Sequence, residues 1–193
     1  MKESKFYHFA RIIITFFMKL VYRPTYIGRE FIPDKGRIVL GGNHTNDRDC
    51  LLLISSTKRT IHFLAKEELL NGKFGFIFRW MGIIPVNREI HDKDALSTAI
   101  QVLNEDKAVG IFPEGTINRT DDTIMPFKIG CVKMAYDTDS YIVPFVITGE
   151  YKTFKKSVKV QFLEPFKPIN EDLAIDNELL MQKISEVIKK ENE

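Results

Sequence analysis

A histidine and an aspartate five positions apart, His44 and Asp49, form the part of this sequence best suited to acid–base chemistry. An apolar run ending in Gly41-Gly42 predicts a buried strand that enters a turn, and the apolar residues after Asp49 predict a helix. Five residues along a regular helix turn two side chains about 140° apart, so the pair can meet only if His44 precedes the helix. Asp49 would then accept a hydrogen bond from one imidazole nitrogen and leave the other to take a proton, as a general base requires.

Two other interpretations of this segment remain open. The helix could simply be capped by Asn46 or Asp47, with His44 as a solvated side chain. His44 and Asp49 could also ligate zinc or iron, because imidazole and carboxylate groups suit those metals. The other histidines form no recognisable ligand spacing with His44, so no metal site is predicted. They are His8, His62 and His91.

The composition predicts one globular domain. The chain has 193 residues, of which 44% are hydrophobic and 28% are charged, which suits a single sizeable core. A formal net charge of +2 gives no case for nucleic-acid binding. Cys50 and Cys131 stand in apolar surroundings without a disulfide spacing, so we interpret both as buried small side chains in a reducing compartment.

The first 24 residues form a basic segment with a helical apolar pattern. On a helical wheel the polar residues fall within an arc of about 120°, and the opposite side is apolar. The polar residues are Lys5, His8, Arg11, Thr15, Lys19, Tyr22 and Arg23, with Ile12 among them. The apolar residues are Phe6, Phe9, Ala10, Ile13, Ile14, Phe16, Phe17, Met18, Leu20 and Val21. The longest uncharged run, residues 12–18, is far shorter than the roughly 20 residues that cross a bilayer.

Residues 1–24 are therefore predicted to form an amphipathic helix that lies on an anionic membrane surface. We expect a peripheral or monotopic protein on the cytoplasmic face of the cell membrane. Lys19 and Arg23-Pro24 interrupt the apolar stretch and no small-residue cleavage site follows, which argues against a signal peptide. A helix packed on the core is the alternative. Residues 25–193 would form a single α/β domain.

Short apolar runs alternate with helical patterns in the rest of the chain, which predicts an α/β fold with a largely parallel or mixed central sheet flanked by helices. Predicted strands cover residues 37–40, 61–65, 82–86, 108–112, 141–148 and 158–163. Predicted helices cover residues 47–57, 72–80, 92–105, 128–136 and 176–190. A basic cluster near the last strand suits either a solvated surface or a ligand site; it consists of Lys152, Lys155, Lys156 and Lys159.

Three further segments end predicted strands, where an α/β sheet usually presents its ligand groups. They are residues 81–88, residues 111–119 and residues 142–149. The first two end in Arg88 and Arg119, whose guanidinium groups could each bind a phosphate through two parallel hydrogen bonds. Taken alone, each arginine also fits a surface cation.

In this order and spacing, the four segments resemble the glycerolipid acyltransferase family, most closely the 1-acyl-sn-glycerol-3-phosphate acyltransferases. The likeness covers about residues 36–150. Asn43-His44 to Asp49 matches the family's catalytic motif, residues 82–88 match its second motif, residues 112–116 its third, and Val143-Pro144 its fourth. Lys66-Glu67-Glu68-Leu69 and Phe127-Lys128-x-Gly130 resemble the stretches that connect those motifs.

Two positions depart from the family pattern. Asn46 replaces the serine that usually stands two residues after the histidine, a change that preserves capping and turn formation. Ile117 stands where an arginine commonly follows the threonine of the third motif, and Arg119 would supply that charge from two positions later. Arg88 is therefore the first candidate for phosphate binding and Arg119 the second.

The resemblance implies an enzyme of phospholipid biosynthesis. It would move a fatty acyl group from a thioester, on acyl carrier protein or coenzyme A, to the sn-2 hydroxyl of 1-acyl-sn-glycerol 3-phosphate, giving phosphatidic acid. His44 would deprotonate the hydroxyl while Asp49 orients the imidazole, so neither a covalent acyl-enzyme nor a cofactor is expected. Arg88 and Arg119 would bind the phosphate of the lysophospholipid.

The resemblance also implies that Glu114, Gly115 and Thr116 contact the acceptor, around its glycerol portion. Two alternatives to this function stay open. The acceptor could be glycerol 3-phosphate or another lyso-lipid, or the chain could be a non-catalytic lipid-binding protein of the same fold. A protein that only bound lipid would have no use for a base beside a carboxylate, which favours the enzyme.

Overall fold

A seven-stranded sheet forms the centre of the computed structural model, which describes residues 5–87 and 92–192. The strands are β1 (Thr25–Ile27), β2 (Ile38–Gly42), β3 (Ile61–Lys66), β4 (Ile84–Val86), β5 (Ala108–Ile111), β6 (Tyr141–Gly149) and β7 (Val158–Phe162). The helices are α1 (Lys5–Val21), α2 (Asp49–Ser56), α3 (Glu68–Asn71), α4 (Gly75–Trp80), α5 (Lys93–Asn104), α6 (Gly130–Asp137) and α7 (Leu173–Asn192), with a 3-10 turn at Arg29–Phe31.

The strand order is β1-β7-β6-β2-β5-β3-β4, and every neighbouring pair is parallel except β6 and β7. The predicted class, an α/β fold with a largely parallel or mixed sheet between helices, is confirmed. All six predicted strands are present with shifted ends. The three-residue β1 and the one-turn α3 were not predicted, because elements this short leave no measurable periodicity. Helix α4 begins at residue 75 rather than 72, so the predicted helix 72–80 was too long.

The sheet is covered on both faces, and each face has its own apolar core. One core joins β2, β3 and β6 to α1 and α2 through residues such as Leu40, Leu52 and Phe145. The other packs α5, α6 and α7 on the opposite face through residues such as Val102 and Ile184. All five residues of β2 are buried, as expected for a central parallel strand with helices on both sides.

The two cysteines differ in their surroundings. Cys131 is fully buried in α6, and burial raises the pKa of its thiol to about 12. Cys50 is only half-buried, at the rim of the α1 and α2 core. The interpretation as buried small side chains is correct for Cys131 and too strong for Cys50.

Helix α1 packs one side against the core and leaves many large apolar side chains of its other side exposed. Tyr7, Met18 and the adjoining Tyr22 are buried, and Arg11 and Thr15 lie half-buried on the same side. Lys5, His8 and Lys19 are exposed. The exposed apolar side chains of the helix are Phe9, Ile12, Ile13, Phe16, Phe17 and Leu20. A surface helix of a soluble protein usually exposes mainly polar and charged side chains. Among the described helices, none is both long enough and apolar enough to cross a bilayer.

Tyr7 attaches α1 to the sheet. Its hydroxyl oxygen accepts a hydrogen bond from the backbone N–H of Ile61 at 3.0 Å. Burial raises the pKa of Tyr7 to about 12, so the hydroxyl stays neutral at physiological pH. Because Tyr7 and Met18 belong to the core, deleting α1 would expose apolar surface on the rest of the protein. Substitutions on its outward side leave that core intact.

Gly42, the last residue of β2, allows the strand to lie close to β6. A Cβ at this position would overlap the backbone carbonyl oxygen of Phe145 and also its ring. At Gly130, the first residue of α6, no atom lies within 4 Å of the place that a methyl group would occupy. The two glycines therefore have opposite tolerance for a side chain.

We expect Gly42→Ala to lower the free energy of unfolding by about 1–3 kcal/mol, because β2 and β6 must separate to admit the methyl group. Gly130→Ala is the matched control and should be neutral or stabilising, since alanine is favoured in helices. Urea unfolding measures both effects. Equal stability of Gly42→Ala and the unaltered protein would contradict this contact between β2 and β6.

Candidate active site

Parallel strands bring the sequence motifs together at the carboxyl ends of the strands. β2, β5 and β6 are neighbours and run in the same direction, so the residues that follow their carboxyl ends lie side by side. His44 follows β2, Glu114 follows β5 and Tyr151 follows β6. These side chains therefore meet at the carboxyl ends of the strands, where the sequence analysis expected ligand groups.

His44 and Asp49 are in direct contact. The imidazole Nδ1 is 2.9 Å from Oδ2 of Asp49, and the histidine lies in the turn before α2, as its spacing requires. Asp49 is completely buried, whereas the side chain of His44 keeps 12% of its exposure. With Nδ1–H donating to the carboxylate, Nε2 is the nitrogen that can take a proton.

The Asp49 carboxylate is surrounded by donors. Its Oδ2 accepts hydrogen bonds from the backbone N–H groups of Thr45 at 2.6 Å and Asn46 at 2.9 Å, in addition to His44. Its Oδ1 accepts one from the hydroxyl of Tyr151 at 2.6 Å. Donors on both oxygens fix the orientation of the carboxylate.

Tyr151 stays protonated in this position. Its pKa is raised well above the usual range, first by burial and then by the adjacent Asp49 carboxylate. The phenol therefore acts as a constant hydrogen-bond donor to Asp49. Its ring also makes an edge contact with Tyr22 at the end of α1, with 5.4 Å between centroids.

The predicted caps of α2 are not used. The helix begins at Asp49, its N-cap position is Arg48, and no side chain caps it. The amide oxygen of Asn46 instead accepts a hydrogen bond from the backbone N–H of Arg48 at 3.1 Å, which closes a turn ahead of the helix. The prediction of a cap by Asn46 or Asp47 was therefore wrong, because the Asp49 carboxylate itself takes the N–H groups at this turn.

Residues of the third motif hold His44 from the other side. Glu114 is buried, and its two oxygens accept hydrogen bonds from the backbone N–H groups of His44 at 2.8 Å and Met125 at 3.0 Å. Burial raises the pKa of Glu114, and these two hydrogen bonds partly oppose that effect. The ring of Phe112 stacks on the imidazole, with centroids 4.0 Å apart and planes 16° apart. The histidine is thus fixed through both its backbone and its ring.

The fourth motif fixes the turn after β2. The side chain of Asn43 donates to the carbonyl of Ile147 at 2.8 Å and accepts from its N–H at 2.7 Å. This pair of hydrogen bonds continues the pairing of β2 with β6 by one further residue. The position of His44 therefore depends on the neighbouring strand as well as on its own turn.

The remaining predicted binding residues have less defined surroundings. Gly115 has a φ of 76°, a conformation that favours glycine, and the Lys128 side chain lies directly above it. Thr116 and Arg119 are exposed. Arg119 directly follows Asn118, whose N–H donates to the carbonyl of His44 at 2.9 Å, so the backbone next to Arg119 contacts the histidine. Arg88 lies outside the described residues, and its phosphate role stays a prediction.

A cavity of about 550 Å³ adjoins the third motif on the α5 and α6 side of the sheet. Phe112, Pro113 and Gly115 contribute to its wall, and most of the remaining wall is apolar. Lys128 and Lys133 also line it. Within residues 5–87 and 92–192, no group of three histidine, cysteine, aspartate or glutamate side chains could hold a metal ion.

Tyr151 is the site residue that sequence patterns did not predict. It stands two residues after Gly149, the last residue of β6, and strand ends were the positions where ligand groups were expected. That positional rule was the available signal. A tyrosine in an apolar segment otherwise suits a core residue equally well.

The sequence of the chain is similar to those of known acyltransferases. The family model described as Acyltransferase matches residues 23–148. The chain is 37% identical over 134 residues to a 1-acyl-sn-glycerol-3-phosphate acyltransferase of Borreliella burgdorferi, covering 68% of this chain and 53% of that protein. It is 31% identical over 175 residues to the Bacillus subtilis protein of the same description, covering 84% and 86% of the two chains.

A solved structure has the same fold. The crystal structure of the 1-acyl-sn-glycerophosphate (LPA) acyltransferase PlsC from Thermotoga maritima superposes with a TM-score of 0.77, covering 96% of this chain and 81% of that chain at 21% identity. The chain spans about half the length of the Borreliella relative, and the family match includes both His44 and Asp49. On the strength of the family match and the relatives at 31–37% identity, the chain belongs to the acyltransferase family.

Proposed function

We propose that this protein transfers a fatty acyl group from a thioester to the sn-2 hydroxyl of 1-acyl-sn-glycerol 3-phosphate and so forms phosphatidic acid. The observation that carries the proposal is the 2.9 Å contact between His44 and the buried Asp49. Relatives described as 1-acyl-sn-glycerol-3-phosphate acyltransferases support the choice of acceptor.

His44 is the general base. Its Nε2 takes the proton of the acceptor hydroxyl while the alkoxide oxygen attacks the thioester carbonyl, and Asp49 stabilises the imidazolium that forms. The tetrahedral intermediate then collapses, the C–S bond breaks, and the imidazolium returns its proton to the thiolate that leaves. The substrate's own hydroxyl is the nucleophile, so no acyl-enzyme is formed. The donor is a thioester of coenzyme A or acyl carrier protein.

Arginine side chains bind the acceptor's phosphate. One guanidinium about 4 Å from a phosphate charge contributes roughly 4 kcal/mol at an effective dielectric constant of 20, before desolvation is subtracted. Arg88 and Arg119 both follow strands that end at the edge where His44 lies. Glu114, Gly115 and Thr116 lie between these groups in the chain and border the glycerol portion.

The protein works at the surface of an anionic membrane, on its cytoplasmic face. The exposed apolar side of α1 supports this proposal, because it would otherwise contact water. The exposed Lys5 and Lys19 on the same helix suit acidic lipid head groups, each worth about 1 kcal/mol near the surface. A lysophospholipid acceptor resides in that membrane, so enzyme and substrate share one location.

A non-catalytic lipid-binding protein is the competing function. The arrangement around Asp49 argues against it, since holding an imidazole against a buried carboxylate has no purpose in passive binding. Glycerol 3-phosphate and other lyso-lipids are the competing acceptors. An acceptor panel assayed with both kinds of thioester donor separates these cases.

We expect His44→Ala to lower kcat for acyl transfer at least about a hundredfold, because the hydroxyl loses its base. The radiolabelled acyl product is measured with 1-acyl-sn-glycerol 3-phosphate in detergent, and thermal unfolding confirms that the variant is folded. Full activity in a folded His44→Ala variant would refute the mechanism. No transfer to any acceptor by the unaltered protein would favour the lipid-binding alternative.

We expect Tyr151→Phe to lower kcat about tenfold and to move the acidic limb of the kcat/KM profile to higher pH. Without the Tyr151 hydroxyl, more negative charge stays on Asp49, which favours the imidazolium form of His44 over the free base. The Asp49 carboxylate is also held less firmly, because it loses one hydrogen bond.

Tyr26→Phe is the matched control, because its hydroxyl is hydrogen-bonded at 2.6 Å to Ser55 instead of Asp49. A purely structural effect would alter the stability of both variants and leave both pH profiles in place. The role assigned to Tyr151 is wrong if its variant retains the original profile.

We expect Arg88→Ala and Arg119→Ala to raise the KM for the acceptor more than they lower kcat, because they remove uniform binding of the phosphate. An increase of about tenfold or more is expected for Arg88. Arg29→Ala removes an exposed cation that lies over the ring of Tyr26, and it should leave KM unchanged. Unaltered KM values in both test variants would show that the phosphate is bound elsewhere.

A further inference from the structure

Aromatic side chains of α4 continue the outward apolar side of α1. Phe74, directly before the helix, is 59% exposed, and Phe76 and Trp80 are 46% and 53% exposed. The ring of Trp80 contacts that of Phe6 on α1 at 5.1 Å and that of Phe76 at 5.2 Å. The two helices therefore present one connected apolar surface, which we call the aromatic surface of α1 and α4.

The position of α4 is set by the core beneath it. Ile77 and Met81 pack into the same core as the inward side of α1. The exposed aromatic residues thus belong to a helix whose other side packs against the core. Connected exposed apolar surface of this kind usually marks an interaction site.

We propose that α4 is a second membrane-contacting element, which inserts Phe74, Phe76 and Trp80 into the head-group region of an anionic bilayer. The proposal rests on the membrane association proposed for α1. Aromatic rings of this kind are enriched where membranes meet water. Lys73 lies 6.0 Å from the ring of Phe74, and Arg79 stands beside Trp80 in the chain, so cations flank the apolar surface.

The charge pattern favours lipid over a protein partner. Basic residues beside an apolar helix face are typical of attraction to acidic lipids, and the surface is continuous with the apolar residues of α1, for which a membrane is the proposed partner. Contact through two helices also fixes the orientation of the protein, because a single interfacial helix can rotate about its axis. Phe74 follows β3 and α3, near the carboxyl ends of the strands, where His44 lies. Contact of α4 with the membrane would therefore bring that end of the sheet toward the lipid.

Trp80 is the single tryptophan of the chain and reports directly on this contact. The unaltered protein is mixed with phosphatidylglycerol vesicles, and binding is measured by flotation. We expect the Trp80 emission to shift to shorter wavelength and to be quenched at least about twofold by lipids brominated on their acyl chains. Phosphatidylcholine vesicles should give weaker binding and a smaller shift.

A double variant, Phe74→Ser with Phe76→Ser, should weaken partitioning into phosphatidylglycerol vesicles about tenfold or more. Ile169→Ser is the matched control, because Ile169 is 79% exposed and precedes α7 on the opposite face of the sheet. It should partition like the unaltered protein. Thermal unfolding of the Ile169 variant should not change, and the unfolding temperature of the double variant should fall only slightly, because Phe76 loses its contact with Trp80.

Two results would overturn the proposal. If the protein floats while Trp80 emission stays unshifted and unquenched, α1 binds the membrane and α4 remains in water. If the unaltered protein does not float, neither helix binds. Acyl transfer measured in detergent is independent of both results, so a failure of the membrane proposal is distinguishable from a failure of the proposed enzymatic function.

Discussion

The buried carboxylate of Asp49 is the interaction on which the site depends. It has no exposure to water, and it is stabilised there by hydrogen bonds from His44, Thr45, Asn46 and Tyr151. A charge without such donors would be costly to bury, so the turn before α2 and the segment after β6 must both be in place for the ion to be tolerated. The same contacts fix the imidazole tautomer. The hydrogen bonds to Asp49 therefore both stabilise the turn before α2 and orient His44 to take a proton.

Much of the fold was predictable because buried parallel strands leave a strong trace in sequence. The run Ile38 to Gly42 is apolar throughout, and β6 has a similar pattern. β7 instead alternates apolar and polar residues, which is typical of a half-buried strand. The relative order of the strands was not predictable, since periodicity describes one strand at a time. The antiparallel return of β7 and its pairing with β1 depend on contacts between residues far apart in the chain.

The candidate site, like the fold, was only partly predictable from the sequence. The contact of His44 with Asp49 was predictable because both lie on one short segment with strong geometric limits. Tyr151 and the clamp formed by Glu114 were not, because their partners are 102 and 70 residues away. The direction that α1 faces was also beyond sequence, since an apolar helix side suits a core and a bilayer equally well. Which side of α1 packs on the protein depends on neighbours such as α2, which a helical wheel does not include.

The sheet ends on both sides in very short strands. β1 and β4 have three residues each, whereas the central β6 has nine. Outer strands of this length offer few backbone groups to a second sheet, so they are poor templates for intermolecular strand addition. A protein concentrated on a two-dimensional lipid surface meets copies of itself far more often than one in free solution. On the membrane surface proposed for this protein, the short outer strands would limit fibre-like association.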